Sequence, residues 1–570
     1  MHLYSKTKKG IEYFYLRQTK RVEGKVVCEF QKYIGNKEKL MEVIQNGCGL
    51  PKLPNSPKTS DVRYFGAVAA LWNIAEKIEL KRIVDKNILK RQQGMSIGSY
   101  LLVAAINRSI CPKSKNSIAD WVEKTSLPNL MEDLEIHQLN SQSFWNQMDS
   151  ISEESVHSAE NELAKKIVNT FKLKLDTLLY DSTNYYSYIH TFNPKNTLEQ
   201  RGKNKQHRTD LRQANLALLV TKDHHIPLYH KVYNGNENDY TSFGDVIDSL
   251  NEKVSLLSKD KKNTTLVFDA GNVSTQNMRT ISDHNLSFVS KLKLSDHKDL
   301  LKVPLEKYET LLDPEYEGIK IYTTKKEVYA SEKTLVIKYS KEHFCAESTT
   351  LERQITNAKT DLEDLSIRLQ KYIDDKKLPN NVTCRSVENA VSKIFGGKCH
   401  LKFFISCEVN NQDNYPLLSW TIDESKRNSY IEMYLGKTIY FTNREDLTAK
   451  QVLEIYSFQY QIEHLFKISK NRRSGCWWPK YHWTDQKIKI HAFYCYLSLL
   501  LTSILQMEAS KIDIKNEPHN LIESLNDIVE IIDRHENAEG QLLEVRRHNS
   551  LNASQSKLFN LFKFKKYFQK

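Results

Sequence analysis

Apolar and polar positions follow two rhythms along this chain, and the points where the rhythm changes divide it into segments. Residues 2–34 carry short alternating runs, which predict strands at Tyr13–Leu16 and Val26–Tyr33 around a turn at Glu23–Gly24. Asn46–Ser60, with three prolines and two glycines, predicts a linker. From Arg63 to about Lys172 the spacing turns helical, as in Phe65–Leu71–Ile74–Ala75, Leu101–Val103–Ile106 and Glu153–Val168. Alternation returns at Leu173–Ser182, where Leu173, Leu175, Thr177 and Leu179 share a face and Asp181 follows. Leu216–Thr221 and Ile226–Tyr233 predict a hairpin across Lys222–His225, and Phe243–Leu257 a helix. The short strand Thr264–Phe268 ends at Asp269, a helix starts near Ser274, and Phe288–Leu292 is another strand. This order of strands and helices predicts a mixed α/β sheet with helices on its faces.

Residues 294–445 break that order. Strands are expected at Lys320–Thr323, Thr334–Tyr339, Leu401–Val409 and Thr438–Phe441. Between them Leu351, Ile355, Ala358, Leu362, Leu365, Leu369 and Tyr372 alternate steps of four and three, a seam that predicts coiled-coil pairing with another helix. The simplest expectation is a β-rich insertion, after which the α/β domain resumes. Glu454–Arg473 is then expected as one helix, on which Tyr456, Gln459, Glu463 and Lys470 fall within a stripe about 60° wide. Buried charges of this kind need a partner, a metal or an anionic ligand, and a polar seam closed by salt bridges is the plain alternative. The chain is expected to stay helical from Ala492 to about Arg534 and to end in basic and aromatic residues over Lys557–Lys570. The expected domains are a small β module and linker (1–60), a helical and DNA-binding module (61–172), the first catalytic-core segment (173–293), the insertion (294–445), the second core segment with C-terminal helices (446–540) and a basic tail (541–570).

Composition narrows the class. A 570-residue chain that is 40% hydrophobic can bury several cores, and its net charge of +13 suits a polyanionic partner. Nine scattered cysteines without a CxxC pair argue for reduced thiols in a cytosol and against a zinc site or disulfide framework. Met1–Arg17 has no signal-peptide core, and the apolar run Ala492–Leu505 is short for a bilayer, so a cytoplasmic, membrane-free protein is expected.

Asp181 and Asp269 stand 88 residues apart at strand ends, and Glu463 lies a further 194 along. A strand-end aspartate is commonly a turn former or helix cap. Three carboxylates on elements of one sheet domain have a second use: hard oxygen ligands select Mg²⁺ or Mn²⁺, and a pair of such ions suits phosphodiester chemistry. Basic residues cluster nearby. Arg201–Arg212 includes Lys203, Lys205 and Arg208 with Asp210 as the only acid, and Lys467, Lys470, Arg472, Arg473 and Lys480 follow Glu463 with Trp477, Trp478 and Trp483 interleaved. They read as phosphate contacts or as a solvated basic face over a tryptophan-rich core. Trp420 is a candidate to stack on a flipped base, or a core residue. His207, His224, His225 and His230 are expected to be solvent-exposed and not metal ligands.

Several motifs give the chain a family resemblance: YDST at 180–183, RGKNKQHR at 201–208, YNGNENDYTSF at 233–243, FDAGN at 268–272 and YHWTDQKIKIHAFYCYLSLLL at 481–501. The Glu463 helix matches the signature Tyr, two residues, Arg, three residues, Glu, six residues, Lys at Tyr456, Glu463 and Lys470, with Gln459 in place of the arginine. In order and combination these resemble the DDE transposases of bacterial insertion sequences, in the group with a β-rich insertion before the catalytic glutamate. The resemblance implies a ribonuclease-H-like sheet gathering Asp181, Asp269 and Glu463 around two Mg²⁺ ions. It implies DNA contacts from Tyr456, Lys470 and the Gln459 position, and a homodimer on paired terminal inverted repeats and target DNA in a bacterial nucleoid. It also implies cut-and-paste movement through a hairpin on the element end. A metal-dependent nuclease that cuts without joining, and an idle DNA-binding relative, are the alternatives.

Overall fold

Apolar runs between residues 177 and 442 assemble into one nine-stranded mixed sheet. Its strands are β1 (Thr177–Ser187), β2 (Arg212–Thr221), β3 (Pro227–Asn234), β4 (Thr265–Phe268), β5 (Ser287–Leu292), β6 (Glu309–Thr310), β7 (Ile319–Val328), β8 (Ser331–Ser340) and β9 (Lys437–Thr442). Their spatial order is β6-β7-β8-β9-β5-β4-β1-β2-β3, with β5–β4 and β4–β1 parallel and every other pair antiparallel. The computed structural model describes residues 2–8, 10–22, 25–45, 57–90, 94–189, 193–204, 208–257, 263–472, 474–536 and 542–568.

The central strands carry apolar runs, Leu216–Val220 in β2 and Leu266–Phe268 in β4, because both faces are covered there. All four residues of β4 and all ten of β2 are buried. Helix α1 (Asp239–Leu257) covers one face, its Phe243 packed on Tyr180 and Phe268. Helix α2 (Thr275–Asp283), capped by Ser274, makes the crossover between parallel β4 and β5.

Residues 294–445 divide differently from the expectation. β7, β8 and β9 extend the central sheet, and only the stretch between β8 and β9 is built apart from it. There the heptad-like seam lies on α3 (Lys341–Asp374), with Leu351, Ile355, Ala358, Leu362, Leu365 and Leu369 all buried. Its partners are the hairpin Ile405–Gln412/Tyr415–Ile422 and the short helix Cys384–Phe395, not a second long helix. A stripe of apolar side chains specifies that a helix is covered, and leaves open what covers it. The expected strand Leu401–Val409 begins later, at Ile405, after a 3₁₀ turn over Cys399–Phe403.

The residues sort into two compact units, Met1–Ala70 with Val122–Leu130 and Asn520–Lys570, and Leu71–Trp121 with Met131–His519. In the first, His2–Lys8, Ile11–Val22 and Lys25–Asn36 form an antiparallel meander. Val529–Glu536 pairs with Thr59–Tyr64 and with Leu542–His548, so the expected helix up to Arg534 is a strand there. Ala553–Leu561 is helical, and Phe564, Tyr567 and Phe568 pack around Phe65; the expected basic tail is folded. The turn at Glu23–Gly24 and linker residues 46–56 lie outside the described residues.

In the second unit, helix α6 (Asp485–Ser510) is long and apolar enough to cross a membrane, but 89% of its most apolar window is buried inside the protein. It packs on the helix Ile97–Ile110 and on β3, as a core helix does.

Candidate active site

The β1–β4 ladder pairs Thr177 with Thr265, Leu178 with Leu266 and Leu179 with Val267, a constant offset of 88. Asp181 and Asp269 are separated by the same offset. Carried two residues beyond the last pair, this register brings Asp181, within β1, and Asp269, just past the end of β4, to the same height in the sheet. Asp269 follows the last residue of β4 and keeps an extended backbone, φ −80° and ψ 160°, before the 3₁₀ turn Ala270–Asn272. The β4–β5 ladder pairs Phe268 with Ser290, so the same row continues to Lys291, which pairs with Tyr440 of β9. Asp181, Asp269, Lys291 and Tyr440 thus lie in one row across four strands.

The expected helix over Glu454–Arg473 is two helices, α4 (Ala449–Ser457) and α5 (Gln459–Lys470), separated at Phe458. The Ser457 hydroxyl donates to the Glu454 carbonyl at 2.6 Å, a local bond that competes with helix continuation. Tyr456 accordingly leaves the stripe it was expected to share. It closes α4, 6% exposed, and donates its hydroxyl to Asp269 Oδ1 at 2.9 Å. Burial, then the charge of Asp269, pushes the Tyr456 phenol far above its usual range, so it stays a donor.

Helix α5 lies along β1. Gln459 Nε2 donates to the Tyr180 carbonyl at 2.9 Å, the Ser469 and Tyr185 hydroxyls bond each other, and Lys470 Nζ donates to Thr183 Oγ1 at 2.5 Å. Ten helical residues from Gln459 to Ser469 rise about 15 Å, and five strand residues from Tyr180 to Tyr185 span about 17 Å. Glu463, about 6 Å along α5 from Gln459, comes level with Asp181–Ser182. It is exposed, as is Asp269, and Asp181 is half-buried. Gln459 is buried and joins helix to strand through its amide.

Lys291 completes the group. Its ammonium lies 4.4 Å from the Tyr456 ring centroid and 5.6 Å from that of Tyr440. Burial lowers its pKa, against the opposing pull of the Asp269 and Glu463 charges. The sequence reading missed Lys291, because a lysine inside SFVSKL looks like ordinary strand alternation.

The donor set of three carboxylates suits a hard divalent cation. Among the described residues, however, no three histidine, cysteine, aspartate or glutamate side chains gather closely enough to hold one. Asp181 and Asp269 are adjacent by register, the Tyr456 hydroxyl is bonded to Asp269, and the charges of Asp269 and Glu463 both act on Lys291.

The remaining expected residues distribute around this centre. The 201–204 and 235–238 loops meet so closely that a Cβ on Gly235 would lie 1.7 Å from the Gln213 carbonyl, and one on Gly202 2.2 Å from the Gly235 carbonyl. Only glycine fits such approaches. Beside them is a groove of about 600 Å³ lined by Ser182, Asn184, Arg201, Lys203, Asn204 and Asn215, among others. Arg208 is held by Asp210 in a bidentate pair, 2.9 and 2.8 Å. Lys205, His207 and Arg473 lie outside the described residues. Arg472 is surrounded by Tyr186, Tyr188 and Trp478. Trp420, on the insertion hairpin, is half-buried against the insertion's core. His224 and His225 occupy the hairpin turn with φ of 63° and 50°. Of these, His225 bonds Gln461. His230 departs from the expected exposure: its Nδ1 bonds buried Glu160 at 2.8 Å.

A fold of this kind, with paired aspartates on adjacent parallel strands and a glutamate helix laid along one of them, defines a class, and the comparisons assign it. The family model for the transposase DDE domain matches residues 174–501, more than half of the chain, and the chain belongs to that family. Its central sheet is a ribonuclease-H-like core. The family acts in DNA transposition and generally uses divalent metal ions. None of the curated proteins compared matches the sequence. Among solved structures, the piggyBac transposase synaptic complex with hairpin DNA is similar over 82% of each chain at 8% identity and a TM-score of 0.36, a likeness too loose to carry an argument.

Proposed function

We propose that this chain is a transposase that moves an insertion sequence by cut-and-paste, cutting and joining DNA at Asp181, Asp269 and Glu463. The observation that carries the reading is the shared register of Asp181 and Asp269 beside the helix bearing Glu463. Those three side chains would hold two Mg²⁺ ions, with Mn²⁺ as a substitute, once drawn closer together than they stand in this structure. When bound, such ions supply Lewis acidity and an activated oxygen nucleophile for in-line phosphoryl transfer.

The chain's own groups prepare that site. Tyr456 orients Asp269 through its hydroxyl. Gln459 and Ser469 fix α5 along β1, which sets the height of Glu463. Lys470 stands beside Thr183 on the strand that carries Asp181, placed to meet a phosphate of the bound strand. Lys203 and Arg201 line the neighbouring groove, which suits a DNA backbone. The hairpin intermediate, the homodimer on paired inverted repeats and the use of target DNA extend the reading along the family resemblance.

The test uses the purified chain, a duplex ending in the element's terminal inverted repeat with a 3′-hydroxyl, Mg²⁺ and a plasmid. Joined product is expected, and cleavage without joining would point instead to a nuclease. Asp181→Ala, Asp269→Ala and Glu463→Ala are each expected to abolish cleavage and leave DNA binding intact; unchanged cleavage in any one removes that residue from the site.

A further inference from the structure

The strand that carries Asp181 also leads to a partly exposed aromatic cluster. β1 is paired with β4 only as far as Leu179, yet it continues to Ser187 with β2 on its other side. Tyr186 and Tyr188 lie at its end, with ring centroids 6.1 Å apart, and Trp478 lies 5.9 Å from Tyr186. Tyr188 is 64% exposed. The preceding tryptophan behaves oppositely. Trp477 is 1% exposed and stacks on buried Tyr185 at 4.0 Å with an interplanar angle of 20°. One aromatic pair therefore pins the segment after α5 against β1, and beyond that fixed base Tyr186 and Trp478 are half-buried while Tyr188 is exposed.

Arg472 lies among these rings. Its guanidinium carbon is 4.9 Å from the Trp478 centroid, 5.8 Å from Tyr186 and 5.9 Å from Tyr188, and it donates to both phenol oxygens at 3.2 and 3.3 Å. Phenols are neutral, so these bonds leave its charge uncompensated, and among the described residues no carboxylate forms an ion pair with it. Arg208, 5.9 Å from Tyr186, differs in that Asp210 neutralises it. One exposed ring, Tyr188, and two half-buried ones, Tyr186 and Trp478, beside an exposed guanidinium match the needs of an unpaired nucleotide, which presents a base to stack and a phosphate to neutralise.

We propose that Tyr186, Tyr188, Trp478 and Arg472 form a stacking site for an unpaired nucleotide of the DNA strand that reaches Asp181. The inference rests on the reading of this chain as a DNA-cleaving enzyme and adds the form of DNA it grips. Tyr186 and Tyr188 lie five and seven residues beyond Asp181, about 17 and 23 Å along the strand. That is roughly five to seven nucleotides of stacked strand at about 3.4 Å each. Because every base has a π-face, the site is tolerant of sequence.

The test uses the full chain in buffer containing EDTA, so that metal-dependent cleavage takes no part. The probes are a thymidine homopolymer bearing one 2-aminopurine and a blunt duplex of equal length. The wild type is expected to quench the 2-aminopurine. Tyr188→Ala, at an exposed position that the fold does not need, is expected to weaken homopolymer binding at least about fivefold. Tyr188→Ala combined with Trp478→Leu is expected to remove the quenching and leave duplex affinity within about twofold. Arg472→Gln is expected to lower the salt slope of homopolymer binding by about 0.7, one phosphate contact. Unchanged homopolymer binding in both aromatic variants overturns the proposal, as does an equal loss on both probes. Quenching that persists in a wild-type chain unable to cleave would sink the enzymatic reading and keep the stacking site; cleavage without quenching would do the reverse.

Discussion

At the scale of single residues, two groups that are not carboxylates, Tyr456 and Lys291, lie beside the proposed catalytic acids. Tyr456 stays protonated because burial and the Asp269 charge both oppose its ionisation, so its hydroxyl can only direct a proton toward Asp269. A hydrogen bond to a charged group contributes about 1.5–3 kcal/mol, so Tyr456→Phe is expected to slow single-turnover cleavage roughly 10- to 100-fold with DNA binding unchanged. Lys291 offsets the charges of Asp269 and Glu463. Lys291→Met is therefore expected to slow single-turnover cleavage with DNA binding retained, and Lys291→Arg, which keeps the charge, to restore it. Unchanged cleavage in a folded Lys291→Met protein would show that the ammonium does not act on the carboxylates.

At the scale of elements, the segment after α5 is held by a buried polar cluster. Lys115 Nζ lies 2.6 Å from His482 Nε2 and 3.1 Å from the Tyr494 hydroxyl, His491 Nε2 bonds the Trp477 carbonyl at 2.8 Å, and Arg108 donates to the Pro479 carbonyl at 2.8 Å. Burial, then the Arg108 charge, lowers the Lys115 pKa to about 7 from an ordinary 10.5. Between those two values the unfolded chain holds the proton that the folded chain has released, so stability rises with pH across that window and is flat below about 7 from this group. Urea unfolding from pH 7 to 10 is expected to show that rise, and Lys115→Met to flatten it. In the insertion, Leu362 is fully buried on the seam of α3. Leu362→Ala is expected to cost about 2–5 kcal/mol in urea unfolding of that subdomain. The seam itself was legible in the sequence, because spacing alone fixes which side of a helix is covered. Its partner was not, since a hairpin some fifty residues downstream covers it as well as a second helix would. The break at Phe458 was equally hidden, because Ser457 and Phe458 both tolerate helix.

For the whole molecule, the governing quantity is the net charge of +13 carried by the 570-residue chain. If six to ten phosphates are contacted, raising salt from about 50 to 200 mM is expected to weaken duplex binding about 10³- to 10⁵-fold, measured by fluorescence anisotropy. A weak salt dependence would mean that the basic residues form a solvated surface and not a DNA path. The nine-stranded sheet also shows why domain limits were harder to read than elements. β7 to β9 look like an insertion in chain order, yet their backbones complete the core sheet, and Val529–Glu536 pairs with a strand more than 460 residues earlier.

The order of residues was enough to read two aspartates on strand segments, a glutamate helix and a surplus of cations, and even the 88-residue interval that the β1–β4 ladder repeats, although Asp181 lies within β1 and not at its expected end. Local pattern carries that much because side-chain type and strand periodicity are properties of neighbouring residues. Folding in three dimensions was needed to establish that Asp181 and Asp269 share a row, that Lys291 follows them in it, that Tyr456 reaches Asp269 from a separate helix, and which aromatics are exposed. Those relations come from strand register and from packing between segments hundreds of residues apart, and local spacing records neither.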